Sequence, residues 1–209
     1  MNGDISRPLD MNYGSSSAIL KSIYGPEDLA RRGYYLFPCT GKTPLVKWSK
    51  RSTTDPAIIQ RWRERYPDCS WGIDCGKSGL FVIDDDRGKN PEAVNSLSWL
   101  ETLHDTLPET FTVKTVSGGY HYYYKGMGRN SAGDKLGRGL DTRGVGGFVV
   151  APCSPGYNVV KDLPVVEVPD WVIGLVGHPG PKRERVDPEN VVLDTPVAIT
   201  RATNYLIDA

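Results

Sequence analysis

The chain is poor in the features that mark several large protein classes. Its four cysteines, Cys39, Cys69, Cys75 and Cys153, form no C-x-x-C pair and have no histidine at ligand spacing. That argues against a structural zinc site and against a disulfide scaffold, and leaves reduced, mostly buried thiols. No run of about 18 apolar residues is present to span a bilayer, and the polar stretch Met1–Ser17 lacks the apolar segment of a secretory signal. A cytoplasmic protein with no membrane partner is expected. Walker A, Rossmann and calcium-loop patterns are all missing, which excludes a P-loop ATPase, a dinucleotide enzyme and an EF-hand. Net charge is missing too, because 25 acids balance 25 bases. Binding to a polyanion would then rest on local clusters and be weak and salt-sensitive. Such clusters exist at Lys42, Lys47, Lys50 and Arg51, at Arg61, Arg63 and Arg65, and around Arg129, Lys135, Arg138 and Arg143.

At 209 residues there is room for one generous domain with an appendage. Residues 1–20 read as a mobile tail and 21–176 as the globular domain. Residues 177–209 read as a Gly/Pro/charge-rich linker and the start of a C-terminal helical region (Thr195–Leu206), cut from a longer polypeptide. Within the domain, Pro26–Gly33 predicts a short helix with acids first and bases last, closed by glycine. Asp55-Pro56 predicts an N-cap and N1 pair, with Ile58, Ile59, Trp62 and Tyr66 on one face and Pro67 as the stop. Asn90-Pro91 opens a helix whose apolar face is expected at Val94, Leu97, Leu100 and Leu103. Strands are expected at 34–38, 80–86, 110–115, 120–124, 140–142 and 148–151, and a last helix at Pro169–Val176. Helices interrupt the strands without strict alternation, so the fold class is α+β around a mixed or antiparallel sheet.

The richest segment is Leu80-Phe81-Val82-Ile83-Asp84-Asp85-Asp86. Side chains alternate along a strand, so Asp84 and Asp86 leave on one face and Asp85 on the other. Adjacent carboxylates repel unless a cation lies between them. With Asp141 on a later strand they form a candidate cage for two divalent ions about 3.5–4 Å apart, Mg²⁺ or Mn²⁺ given all-oxygen ligands. The competing reading is that these acids cap a turn or form surface ion pairs. His121 follows the turn Ser117-Gly118-Gly119, where backbone can approach a phosphate closely; a structural histidine among tyrosines is the alternative. Arg143, two residues beyond Asp141, suits a triphosphate clamp or an ion pair with Asp141 itself. Lys47 is a further phosphate candidate, or a solvated surface charge.

Taken together, the apolar-apolar-Asp-x-Asp strand, the Ser-Gly-Gly-x-His turn and Leu140-Asp141-Thr142-Arg143-Gly144 running on to Val149-Val150-Ala151-Pro152 resemble the bifunctional primase-polymerase domain of the archaeo-eukaryotic primase superfamily. The stretches Pro44–Trp48, Thr54–Trp62 and Gly72–Gly76 match its N-terminal pattern, and the likeness covers about residues 30 to 175 in order. It implies a two-part catalytic core containing a sheet like that of an RNA-recognition motif, with the active site between the parts. It also implies Asp84, Asp86 and Asp141 as metal ligands, and His121 as a nucleotide contact. Asp85 stands where relatives carry an apolar residue.

The activity so implied is DNA primase/DNA polymerase, a template-directed nucleotidyl transfer in replication of a phage, plasmid or other mobile element. Catalysis would fall to Asp84, Asp86, Asp141 and His121, and nucleotide binding to Ser117, Gly118, Gly119, His121, Arg143 and Lys47. Partners would be single-stranded DNA template and primer, nucleoside triphosphates, and a helicase in the same full-length polypeptide. Two other readings remain: a two-metal nuclease or phosphatase, and a non-catalytic single-strand-binding module.

Overall fold

The computed structural model describes residues 24–131 and 135–180. The expected N-terminal tail, the helix at 195–206 and most of the linker lie outside the described residues. Helix α1 (Pro26–Arg31) begins with proline at N1, and its Gly25 N–H donates to Asp28 Oδ2 at 2.8 Å. The chain leaves it through Gly33, whose φ of +87° is cheap only for glycine. Strand β1 (Leu36–Thr40) then turns into β2 (Thr43–Pro44). The single-turn helix α2 (Trp48–Arg51) leads to α3 (Pro56–Arg65), where Asp55 accepts from Ala57 N–H at 2.8 Å as the expected cap. Ile59 and Trp62 of α3 are buried, with Ile58 and Tyr66 packed beside them.

Strand β3 (Ser70–Asp74) pairs antiparallel with β1, and β8 (Phe148–Val150) pairs antiparallel with β3. These strands form a small sheet in the order β2-β1-β3-β8. Gly72 is needed in it. A Cβ there would sit 2.3 Å from the Phe37 ring, which lies across the strand.

The larger sheet begins with β4 (Leu80–Asp85), followed by α4 (Glu92–Leu103), β5 (Thr112–Lys114), β6 (Tyr120–Lys125) and β7 (Leu140–Arg143). Its order is β7-β4-β6-β5-β9, with β9 (Asn158–Lys161) on the edge and the two-residue β10 (Val166–Glu167) parallel to β6. Taken as strand-helix-strand-strand-strand, β4, α4, β5, β6 and β7 give the spatial order 4-1-3-2 of an RNA-recognition-motif sheet. The closing helix is α5 (Asp170–Val176). The α+β class and its two-part core therefore stand.

The larger sheet is a middle layer because both of its faces are covered. Leu80, Val82, Val113 and Tyr123 face the small sheet with Leu36, Phe37, Ile73 and Val149. Phe81, Ile83, Tyr124 and Leu140 face α4 and α5, meeting Ala93, Leu100, Val172 and Ile173. Each fully buried aromatic or aliphatic side chain contributes about 1.5–3 kcal/mol. The α4 face differs from the expected one: Ala93 and Leu100 are buried, whereas Val94 and Leu103 are exposed. Three-residue steps lag the helix by about 60° each, so positions nine apart point in opposite directions. The spacing 93, 97, 100 keeps the stripe together.

Cys39 and Cys75 are buried, Cys69 and Cys153 half-buried, and all four are free. Burial pushes the Cys39 thiol up to about 12, the opposite of an activated nucleophile. Among the described residues no helix is long and apolar enough to cross a membrane.

Candidate active site

The β4 strand delivers Asp84 to the face that looks toward the small sheet. In the register of the ladder, Asp84 stands opposite Asp141 of β7 on one side and opposite His121 of β6 on the other. Residues directly opposite share a face, so the three side chains form a row across three strands. His121 Nε2 lies 3.4 Å from Asp84 Oδ1. The Arg143 guanidinium lies 2.9 Å from Asp141 Oδ2 and 3.6 Å from Asp84 Oδ2, bridging both carboxylates. Burial pushes the Asp84 carboxyl up, but His121, Arg143 and Lys42 together outweigh it and hold the group below its ordinary value. His121 is itself buried, and its Nδ1 has no hydrogen-bond partner.

Asp86 lies just past the strand end, ion-paired to Lys89 at 2.8 Å. The Lys89 ammonium is held above its usual range, chiefly by that bond to Asp86, with Asp84 and Asp141 adding their charge. Asp85 goes to the opposite face, as period two requires. It is fully buried against Arg87, at 2.8 Å from Nε and 2.5 Å from a terminal nitrogen, with Tyr122 Oη at 3.4 Å.

The turn Ser117-Gly118-Gly119 packs against the loop that follows β4. A Cβ on Gly119 would lie 2.1 Å from Asp85 O, and one on Gly88 would lie 1.8 Å from Ser117 O. Both glycine amides are used inside the turn: Gly118 N–H donates to Thr115 O at 3.0 Å and Gly119 N–H to Thr115 Oγ1 at 3.1 Å. The turn's place is therefore as a strut that fixes His121 against Asp84, rather than a ready row of free amides.

A cavity of about 280 Å³ opens in front of Asp84, His121 and Arg143. Its other wall comes from the small sheet and its connections: Lys42, Trp48 and Phe148, with Asn130 and Tyr157 at the sides. Trp48 and Phe148 pack at 5.3 Å between ring centroids, and Tyr157 lies 5.8 Å from the His121 ring. Asn130 Oδ1 accepts from Gly144 N–H at 2.8 Å and so holds the passage from β7 into β8. Lys42, carried on the β1–β2 turn, is the lysine that reaches the cavity; Lys47 is exposed and does not line it. The basic Thr40–Pro44 loop was a visible signal for Lys42. Asn130 and Tyr157 had none, because their place depends on long-range packing.

The acids offer hard oxygen donors on one face, the chemistry that Mg²⁺ or Mn²⁺ takes. Among the described residues, however, no three or more His, Cys, Asp or Glu side chains are gathered as a metal-holding group. Basic side chains lie against these carboxylates: Arg143 beside Asp84 and Asp141, and Lys89 beside Asp86. The donor set fits a divalent ion in kind, with its carboxylates paired to bases.

Residues 26–171 match the family model described as bifunctional DNA primase/polymerase, N-terminal. No curated protein matches the chain.

Proposed function

The chain belongs to the bifunctional DNA primase/polymerase family, and we propose that its cleft performs template-directed nucleotidyl transfer by a metal-assisted route. A 3′-hydroxyl attacks the α-phosphate of a nucleoside triphosphate; a P–O bond forms to that oxygen, the bond to the departing pyrophosphate breaks, and the hydroxyl proton passes to solvent water. The observation that carries the reading is the row Asp141, Asp84, His121 with Arg143 laid across its carboxylates.

Asp84 and Asp141, with Asp86, would hold Mg²⁺ or Mn²⁺, which when bound lowers the pKa of the attacking hydroxyl and neutralises charge on the phosphates. The chain's own groups do the rest. Arg143 and Lys42 bind phosphate oxygens from opposite walls of the cavity, Arg143 as a planar fork and Lys42 as a point charge. His121, fixed by the Ser117–Gly119 turn and its contact with Asp84, orients a phosphate in line. Trp48 and Phe148 wall the site and exclude water, which strengthens each of these contacts. The likeness in the motifs further supports work on a primed single-stranded template. It also supports replication of a phage, plasmid or other mobile element in the host cytoplasm, and a helicase in the same polypeptide.

The test is extension of a labelled primer on a single-stranded template with dNTPs and Mn²⁺. Wild-type chain should lengthen the primer, and Asp84→Asn should lose at least about 10³-fold in rate while still unfolding in one cooperative transition. Shortening of the primer by the wild type would instead establish a nuclease.

A further inference from the structure

A second charged feature lies outside the catalytic cleft. Helices α2 and α3 enclose an open groove of about 830 Å³ whose walls carry Lys50, Arg51, Arg61 and Arg65 against a single acid, Glu64. All four cations are exposed. Lys50, Arg51 and Arg61 have no side-chain hydrogen bond or ion pair among the described residues, and Arg65 only lies over the Tyr66 ring at 5.4 Å. The neighbouring Arg63 is different, being paired with Glu27 at 2.8 Å. Glu64 is engaged by Gln60 at 3.0 Å. In a chain with no net charge, four bases in one groove that have no acid partner among the described residues are a local excess.

We infer that this groove binds the phosphate backbone of the single-stranded template and leads it into the catalytic cleft. The inference rests on the nucleotidyl-transfer reading above. Two observations favour a nucleic-acid strand over an acidic peptide. A phosphodiester carries a charge at every residue, which suits a line of cations without side-chain pockets, and the apolar lining is Trp62, buried in the core, with half-buried Ile58 packed against the same core. The groove also joins the cleft through one helix. Trp48, at the start of α2, walls the cavity, while Lys50 and Arg51 of the same turn wall the groove. At a rise of about 1.5 Å per residue, Arg51 lies about 4.5 Å along the helix from Trp48. Arg61 and Arg65, four apart on α3, continue the line on one face.

The experiment uses the whole 209-residue chain and a fluorescein-labelled oligodeoxythymidylate, followed by anisotropy between 50 and 200 mM salt. Replacing Lys50, Arg51, Arg61 and Arg65 together by alanine should weaken binding by about tenfold or more at the low-salt end. It should also flatten the slope of log affinity against log salt by about 0.7 per lost contact, about 3 in all. Binding of a labelled dNTP should be unchanged. If the quadruple variant melts early, Arg61→Gln and Arg65→Gln singly should each flatten the slope by about 0.7. Unchanged affinity and slope, or equal competition by poly-glutamate, overturns the groove. A wild type that extends primers while the variants bind normally sinks the groove alone. A wild type that binds through the groove yet never extends a primer sinks the polymerase reading and spares the groove.

Discussion

Arg143 stands between Asp84 and Asp141, touching one carboxylate at 3.6 Å and the other at 2.9 Å across the β4–β7 ladder. Two acids directly opposite each other would otherwise destabilise the strand pair. The guanidinium, with His121 and Lys42, holds the Asp84 carboxyl below its ordinary value despite burial. In metal-free protein this contributes stability that is present above the unfolded pKa of about 3.9 and is lost as pH falls through the lower folded value. Replacing Arg143 by alanine should raise the Asp84 pKa and shrink that acid-sensitive contribution. Carboxyl titration by NMR, with urea unfolding across the acid range, reads both; an unmoved Asp84 would show that the bridge carries no weight.

The two lysines of the N-terminal segment should separate cleanly. Lys42→Ala removes a cation from the cavity wall and should raise the KM for nucleotide by about tenfold, the worth of one charge-assisted contact of about 1.4 kcal/mol. Lys47→Ala, on an exposed side chain outside the cavity, should leave KM within twofold. Steady-state primer extension at varied dNTP distinguishes them. The reverse ranking would relocate the triphosphate site.

Gly119→Ala should be costly for a reason visible in the packing. Its methyl group would lie 2.1 Å from the Asp85 carbonyl oxygen, so the turn and the β4 end must part. Overpacking of this kind costs about 1–3 kcal/mol. His121 would move with the turn, so turnover should fall along with stability. Urea midpoints and kcat measured on the same preparation test the coupling.

On the far side of the sheet, the fully buried Asp85 is paired with the partly exposed Arg87. Arg87→Ala strands a fully buried carboxylate and should cost about 2–3 kcal/mol, since only the Arg87 backbone N–H at 2.9 Å and Tyr122 Oη at 3.4 Å remain. Asp85→Asn should cost less, because it leaves no buried charge behind. Chemical denaturation of the two variants side by side would expose a wrong ordering.

Much of this was legible because it is local. The alternation in Leu80–Asp86 assigns each acid to a face before any fold is known, and Asp55-Pro56 and Gly33 punctuate their helices as capping chemistry requires. What the chain hid is long-range. The short strands β9 and β10 contain little apolar pattern of their own and exist because β5 and β6 offer them an edge. That β8 leaves β7's sheet to join β3 depends on Gly144–Gly147 and on Asn130, fourteen residues before Gly144. Tyr157 reaches the cleft for the same reason. The α4 stripe was misread because residues three apart look periodic yet drift around a helix.

The alternation of β4 has a further consequence for how such a domain can change over time. Neighbouring aspartates hold unlike places: Asp84 lines the cleft, and Asp85 anchors an arginine beneath the floor. Inserting or deleting one residue between Leu80 and Asp84 would exchange those places at a stroke, turning Asp84 in among the tyrosines and the anchor out toward the cleft. Length variation in this strand is thus confined to steps of two.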